Sequence, residues 1–397
     1  MIGGCSSSKR FSNNVNTSSG KSEIINPIRI LLDENEDKLS LFTDFGVLLF
    51  DENILLTNIH SADKINVTSK SDKIEIKING KVFSSGLFYL RSDTQNGIIS
   101  LSGKKYRGAL KIFKGNSKIQ LVNQVSLEDY VKGVMNEEMP AGKDEKRYEA
   151  LKAFSICART YAFNKMKMNK DYFDIYSDTR DQVYGGVDGE SSFTNKIVDE
   201  TKGQLLFFDD KPAVIFYHST CGGSTENVNN VFGKNDLPYL YEVFDGSEPY
   251  CKISPAFEWI ENYSNKIFVE RLYNSKQIDS KNFFVRDIKI KSRFDSGRVN
   301  ELEIILLDKN ENENIVLLKG NSIRNIIKNS SGKSMLKSTM FDIKINKDNS
   351  ITIEGKGYGH GVGLCQWGAI GLALDGKNYL EIIEHYFSGT KVVQNND

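Results

Sequence analysis

The sequence predicts an α+β fold: mixed, largely antiparallel β-structure with a few helices, and a β-rich N-terminal region. Three observations point there. Short apolar runs at 28–32 and 74–78, the second alternating with period two, read as strands. The Asn79-Gly80 pair after the second run is a hairpin signal, because both residue types tolerate the positive φ of a tight two-residue turn. From Ser126 the apolar period changes to three and four, the spacing of one helix face.

Taken in order, residues 1–26 read as a short N-terminal motif and a flexible polar tether. Residues 27–124 form the β-rich region, a structural or substrate-presenting module with no chemistry of its own. Residues 125–392 form the domain that carries the motifs. In it, Ser126 is an N-cap with Asp129 as capping-box partner. Leu127, Tyr130, Val131 and Val134 share one helix face. Pro140 ends that helix and biases Met139 toward extended dihedrals. A second helix runs from near Asp144 to Met166, with Leu151, Phe154, Ala158 and Tyr161 on one face. Short strands and the turns at Gly185-Gly186 and Gly222-Gly223 follow, then strands within 283–354, such as 287–291 and 301–307. The end is helical: Gly376 closes one helix, and Asn378 with Glu381 opens the next over 379–387. No internal repeat is visible.

Composition narrows the function classes. The 397 residues suffice for two or three domains. Lys plus Arg and Asp plus Glu both number 52, so no strong basic field exists to hold nucleic acid. With 39% hydrophobic and 11% aromatic residues, a packed core can form. No apolar run approaches the roughly 18 residues of a membrane-spanning helix. The expectation is a soluble globular chain, or one anchored by other means.

The five cysteines are too scattered for a disulfide scaffold. Ile2 and Gly4 before Cys5 resemble a bacterial lipobox, whose Cys is lipidated after removal of a signal peptide. The expectation is a lipidated Cys5, a polar tether behind it, and a gene product that starts upstream of Met1. Cys157 reads as a small hydrophobe within the second helix. Cys221 and Cys251 could pair, closing a loop worth ~3–4 kcal/mol on the chain-entropy model, or remain free thiols.

Four segments carry chemistry. They are 134–140 (Val-Met-Asn-Glu-Glu-Met-Pro) with Glu149-Ala150-Leu151 and Ala158-Arg159-Thr160; 181–186 (Asp-Gln-Val-Tyr-Gly-Gly); 218–226 (His-Ser-Thr-Cys-Gly-Gly-Ser-Thr-Glu); and 357–369, which contains Gly-His-Gly-Val-Gly-Leu-Cys-Gln-Trp-Gly. Together with Ser296-Gly297-Arg298, Ile323-Arg324 and Leu336-Lys337-Ser338 they resemble the stage II sporulation protein D family. That family includes proteins named as enhancers of a cell-wall amidase. The match runs in order from about Val125 to Val392, some two-thirds of the chain. The resemblance implies that 125–392 is a catalytic domain. It implies a lytic transglycosylase that cuts the bond between N-acetylmuramic acid and N-acetylglucosamine in glycan strands already stripped of peptides, leaving a 1,6-anhydro sugar. The setting it implies is remodelling of the wall during engulfment.

One carboxyl can serve such a reaction, because the attacking group is the sugar's own 6-hydroxyl rather than water. The carboxyl first gives a proton to the leaving oxygen and then takes one from that hydroxyl, so it needs a raised pKa and a partly apolar setting. Glu138 matches the Glu of the family's Glu-Met-Pro motif; adjacent Glu137 does not. Arg159 could hold sugar or pair with an acid. Gln182 and Tyr184 suit sugar recognition, though Tyr184 could equally be core. Thr220, Gly222, Gly223, Thr225 and Glu226 suggest a groove wall, or a tight turn. His360 between two glycines reads as cleft lining. Gln366 opens a helix at the cleft, and Trp367 beside it reads as core.

Some family members bind zinc through Cys and His just before the Gln-Val-Tyr segment. Here Tyr176, Arg180 and Asp181 occupy that stretch, and a set of His218, Cys221 and Cys251 lacks a fourth ligand, so no metal and no cofactor is expected. The expected partners are peptidoglycan strands, a cell-wall amidase, and a membrane reached through the lipid, in an extracytoplasmic location; nucleic acid is not among them. Two rivals remain: a non-catalytic glycan-binding amidase enhancer, and a hydrolase using Glu226 as a second carboxylate.

Overall fold

The computed structural model describes residues 26–395, apart from 36, 45, 62, 94–96, 141, 143, 169–171 and 234–236. Cys5, with its expected lipid, lies outside the described residues.

Period-two alternation organises the N-terminal region into two large sheets, beside a two-stranded hairpin of Ile99–Leu101 and Lys104–Tyr106. One runs in the order Ile175–Tyr176, Ile28–Asn35, Lys118–Val125, Ala109–Gly115, Leu87–Ser92, Val47–Asp51, Ile54–Ile59, with only the first pair parallel. The other is four-stranded and antiparallel: Lys38–Phe42, Lys64–Lys70, Lys73–Ile78, Lys81–Ser85. Alternate residues such as Ile28, Ile30, Leu110 and Ile112 of the first, and Ile65, Val67, Ile74 and Ile76 of the second, are buried in one core. Asn79 and Gly80 take φ of 49° and 84°, the turn expected of that dipeptide.

Eight α-helices follow among the described residues: α1 Leu127–Glu138, α2 Tyr148–Lys167, α3 Ser192–Glu200, α4 Val228–Phe232, α5 Asn265–Asn274, α6 Ser322–Ile327, α7 Gln366–Leu374 and α8 Tyr379–Tyr386. The strand Lys118–Val125 leads straight into α1 through Ser126. The Ser126 hydroxyl accepts from the Asp129 amide at 3.1 Å and donates to the Asp129 carboxylate at 2.8 Å, a variant of the expected capping box. Tyr130, Val131, Val134 and Met135 face the core, while Leu127 is half-buried. Met139 turns extended (φ −123°, ψ 136°), as a residue before proline must. The 20-residue α2 is the buried spine of this layer, with Leu151, Phe154, Cys157 and Ala158 wholly enclosed. Asn378 and Glu381 form the reciprocal capping box of α8, and Gly376 (φ 85°) lies just past α7. The terminal strand Lys391–Gln394 pairs antiparallel with Gln204–Phe208.

One hydrophobic core runs from Ile28 through α1, α2, α7 and α8 to Phe387. Residues 258–356 build a second core around Trp259, Phe268, Leu302, Ile304 and Ile351. It is made of two three-stranded antiparallel sheets with α5 and α6, and the expected strands at 287–291 and 301–307 belong to it. This unit enters and leaves on paired strands, Glu258 opposite Lys356. No described helix is long and apolar enough to cross a membrane.

Candidate active site

Glu138 is the last residue of α1, half-buried where that helix meets the Gln-Val-Tyr segment. One oxygen of its carboxyl accepts from the Val183 amide at 2.5 Å. Burial raises its pKa above the ordinary Glu value, and the Glu137 charge adds to this; the Val183 amide and the neighbouring Tyr217 hydroxyl pull the other way. A carboxyl so placed holds its proton to higher pH than a solvated one, which is what a proton donor needs.

Two glutamines frame it from behind. Gln366, the first residue of α7, donates to the Glu138 carbonyl at 2.6 Å, tying the fourth motif to the first. Gln182 is fully buried. Its amide oxygen accepts from the Tyr130 hydroxyl at 3.1 Å, so the residue supports the site rather than lining an open groove. Tyr217 is the member that sequence reasoning missed. Its buried hydroxyl has no formed hydrogen bond, and its nearby charges and dipoles are those of Glu138 and Gln182. The available signal was its place directly before His218, on a strand where neighbours point to opposite faces.

The third and fourth motifs are brought together by a short parallel pairing, Tyr217–His218 with Leu364–Cys365. His360 is half-buried among Phe216, Phe232 and His218, and its Nδ1 accepts from the Val362 amide at 3.0 Å. Burial, with Arg324 and Arg298 nearby, pulls the His360 pKa down to about 3, so the ring is neutral near pH 7. Trp367 is half-buried against the core, with the Arg147 guanidinium 5.8 Å from its ring centre.

Several expected site residues serve structure instead. Arg159 is wholly buried and forked onto Glu128 at 2.8–3.2 Å, with further bonds to the Gln204 and Val198 carbonyls. Of its two readings, the structure selects the ion pair. Tyr184 is core, stacked on Tyr130 and donating to Asn123 at 2.9 Å. Thr220 is buried with its hydroxyl 2.7 Å from that of Ser254, and the Thr225 hydroxyl accepts from the Val243 amide. Gly222 and Gly223 have positive φ, and a Cβ there would press on Met340, Lys356 or Pro249, so their own protein packing explains them.

Glu226 is sealed in. It accepts from Ser296 at 2.5 Å, from Asn230 at 2.8 Å and from the Asn227 amide at 2.8 Å. A carboxylate with its lone pairs so occupied and no exposed surface is badly placed to activate water. Arg298, also wholly buried, donates to the Cys221, Ser224 and Thr225 carbonyls of the same loop. Gly361 (φ 91°) makes room for it: a Cβ there would lie 2.6 Å from the guanidinium carbon.

Residues 115–208, which span α1 to α3 and hold Glu138 and Gln182, match the family model described as stage II sporulation protein. The chain is 30% identical over 288 residues to stage II sporulation protein D of Bacillus amyloliquefaciens, covering 68% of this chain and 75% of that one. The chain belongs to the stage II sporulation protein D family. Other relatives of this family member extend the likeness beyond that region. An amidase enhancer of Bacillus subtilis is 28% identical over 375 residues, 85% of this chain, but the chain spans only about half (51%) of that protein. An uncharacterized protein of Brachyspira hyodysenteriae is 32% identical over 333 residues, 82% of this chain and 81% of its own. Residues 251–363, close to the bounds of the second core, match a domain of unknown function.

In this stage II sporulation protein D family member, residues 174–181 are not assembled for metal. Asp181 is taken up by Lys165 at 2.5 Å, the Tyr161 hydroxyl and the Tyr176 amide, and Arg180 stacks on Tyr176. Nor does the trio with His218 form, since His218 is not in the group that gathers around Cys221 and Cys251. Cys365 takes its place instead: the sulfurs of Cys221, Cys251 and Cys365 lie within 4.8 Å of one another, as free thiols.

Proposed function

We propose that the protein is a peptidoglycan lytic transglycosylase with Glu138 as its acid and base. The observation that carries this reading is a single half-buried carboxyl of raised pKa at the junction of three motifs, while Glu226, the acid of the third motif, is sealed. Family membership supports the setting, a sporulation- and cell-wall-related role. In the first step Glu138 gives its proton to the oxygen that leaves from N-acetylmuramic acid. In the second the carboxylate takes the proton of the 6-hydroxyl as that oxygen bonds to the anomeric carbon. The glycosidic bond is lost, an internal ether is gained, the proton returns to Glu138 and no water is consumed. Val183 holds one carboxyl oxygen, leaving the other to carry the proton. Gln366 fixes the backbone that presents it.

A second reading, a glycan-binding enhancer of a cell-wall amidase, is favoured by the likeness to the amidase enhancer. Digestion of peptide-stripped glycan strands with the purified protein, followed by mass analysis of the ends, separates the two. Transglycosylation is expected to give 1,6-anhydro ends, one water lighter than hydrolysis products. Intact strands, with faster turnover only of an added amidase, would establish the enhancer instead.

The same proposal places the protein outside the cytoplasmic membrane, held by lipid on Cys5. In the native host it should sediment with membranes and yield an N-terminal peptide bearing the lipid mass. Recovery from the soluble cytoplasm with Cys5 unmodified would refute the anchor without touching the chemistry at Glu138.

A further inference from the structure

The three gathered cysteines come from distant parts of the chain. Cys221 sits in the third motif, Cys251 in a 3-10 turn over Tyr250–Ile253, and Cys365 caps α7. All three are completely buried. The Cys221 and Cys251 sulfurs are 3.4 Å apart, far from the ~2.05 Å of a disulfide. They are close to the ~3.8 Å between two sulfurs that each sit ~2.3 Å from one tetrahedral ion. A disulfide would also leave the third sulfur without a purpose.

Backbone donors converge on these sulfurs as they do on ligating thiolates. Cys365 accepts from the Cys221 amide at 3.1 Å and the Gly368 amide at 3.2 Å, and the Gly222 and Gly223 amides face Cys251. A carboxylate stands beside one of the sulfurs. Asp245, its side chain wholly enclosed, has one carboxylate oxygen 3.2 Å from the Cys221 sulfur and the other 2.9 Å from His385 Nε2. Carboxylates around metal centres are commonly held in place by a further hydrogen bond of this kind. The Tyr386 hydroxyl, buried beside Cys365 and Asp245, has no hydrogen-bond partner. The buried Arg298 guanidinium, bonded to the Cys221 carbonyl, places positive charge beside the cluster.

We propose that Cys221, Cys251 and Cys365 are the ligands of a buried structural zinc site, with the Asp245 carboxylate beside Cys221 as its outer partner. Three thiolates suit zinc, and the cluster is fully enclosed. Binding replaces the thiol protons, which pass to solvent, and pins the 221–226 loop and the start of α7 together. The site is separate from residues 174–181 and does not depend on the reaction proposed for Glu138.

The test uses the full chain, made with zinc in the medium and purified under reducing conditions without chelator. Elemental analysis should find about one zinc per chain. Cobalt(II) added to the stripped protein should give intense sulfur-to-cobalt absorption. Cys251→Ser should lower zinc content at least about tenfold, and Asp245→Asn should weaken affinity by about 10–100-fold. Cys157→Ser, in α2 and outside the cluster, should keep the ion. Wild-type protein that is folded yet free of zinc, gives no cobalt–sulfur band and has all three thiols alkylatable would overturn the proposal. So would a Cys221–Cys251 disulfide found by peptide mass. If the cysteine variants do not fold, the wild-type zinc content and cobalt spectrum decide alone.

Discussion

Glu138→Gln is expected to abolish strand cleavage while leaving the fold intact. Gln keeps the shape and can still accept from the Val183 amide, but it can neither give a carboxylic proton nor take one back. A group that acts as both acid and base should cost at least the ~100–10,000-fold usual for general acid–base catalysis. In the wild type, cleavage should fall as pH rises through the raised pKa of Glu138, because the donor is then lost; the variant's residual rate should lack that limb. Wild-type stability should fall over the same pH range. A carboxyl whose folded pKa is raised binds more protons folded than unfolded, so wild-type stability declines as pH climbs from the ordinary Glu value through the raised one. Gln does not ionise, so the variant should melt above wild type at neutral pH. Strand digestion and thermal unfolding across pH measure both effects. A variant that still cleaves at near wild-type rate would move the chemistry to another residue, with exposed Glu137 the next to replace.

Arg159→Met should unfold the protein readily without altering the chemistry of the molecules that remain folded. Removal of the guanidinium strands Glu128, which otherwise faces only the Gly203 amide, and leaves the Gln204 and Val198 carbonyls without that donor. Breaking a buried ion pair costs about 3–5 kcal/mol; the Glu128 side chain keeps 19% exposure, which puts the expectation at the lower end. Urea unfolding should show the loss, and replacing Glu128 by Leu in the same chain should recover much of it. Unchanged stability with a raised KM for strands would restore the sugar-binding role that the sequence left open.

Local signals were legible because they act over a few residues. The Ser126 and Asn378 caps, the Asn79-Gly80 turn and the stop at Met139-Pro140 each depend on neighbours no more than three positions away. The place of Glu138 at the end of its helix was legible through the Met139-Pro140 stop that follows it. What the sequence could not rank was burial. Arg159 lies on α2, a helix enclosed on nearly every face, so no apolar stripe distinguishes a charge that pairs inward from one that reaches a ligand. Gln182 and Tyr184 sit in a segment without regular period. Cys365 is 144 residues from Cys221, and only the pairing of Tyr217–His218 with Leu364–Cys365 makes them neighbours.

The side-by-side entry and exit of residues 258–356 have an evolutionary meaning. A unit whose two ends lie on adjacent strands can lengthen, shrink or be exchanged without displacing the halves of the host it interrupts. Here that freedom is curtailed where the unit meets the host. Ser296 and Arg298, at its tip, reach into the host and hold Glu226 and the carbonyls of the 221–225 loop, and the Lys337 carbonyl accepts from the Gly359 amide. Drift in this unit is therefore free on its outer strands and constrained along that seam, where a residue changes only in step with the host.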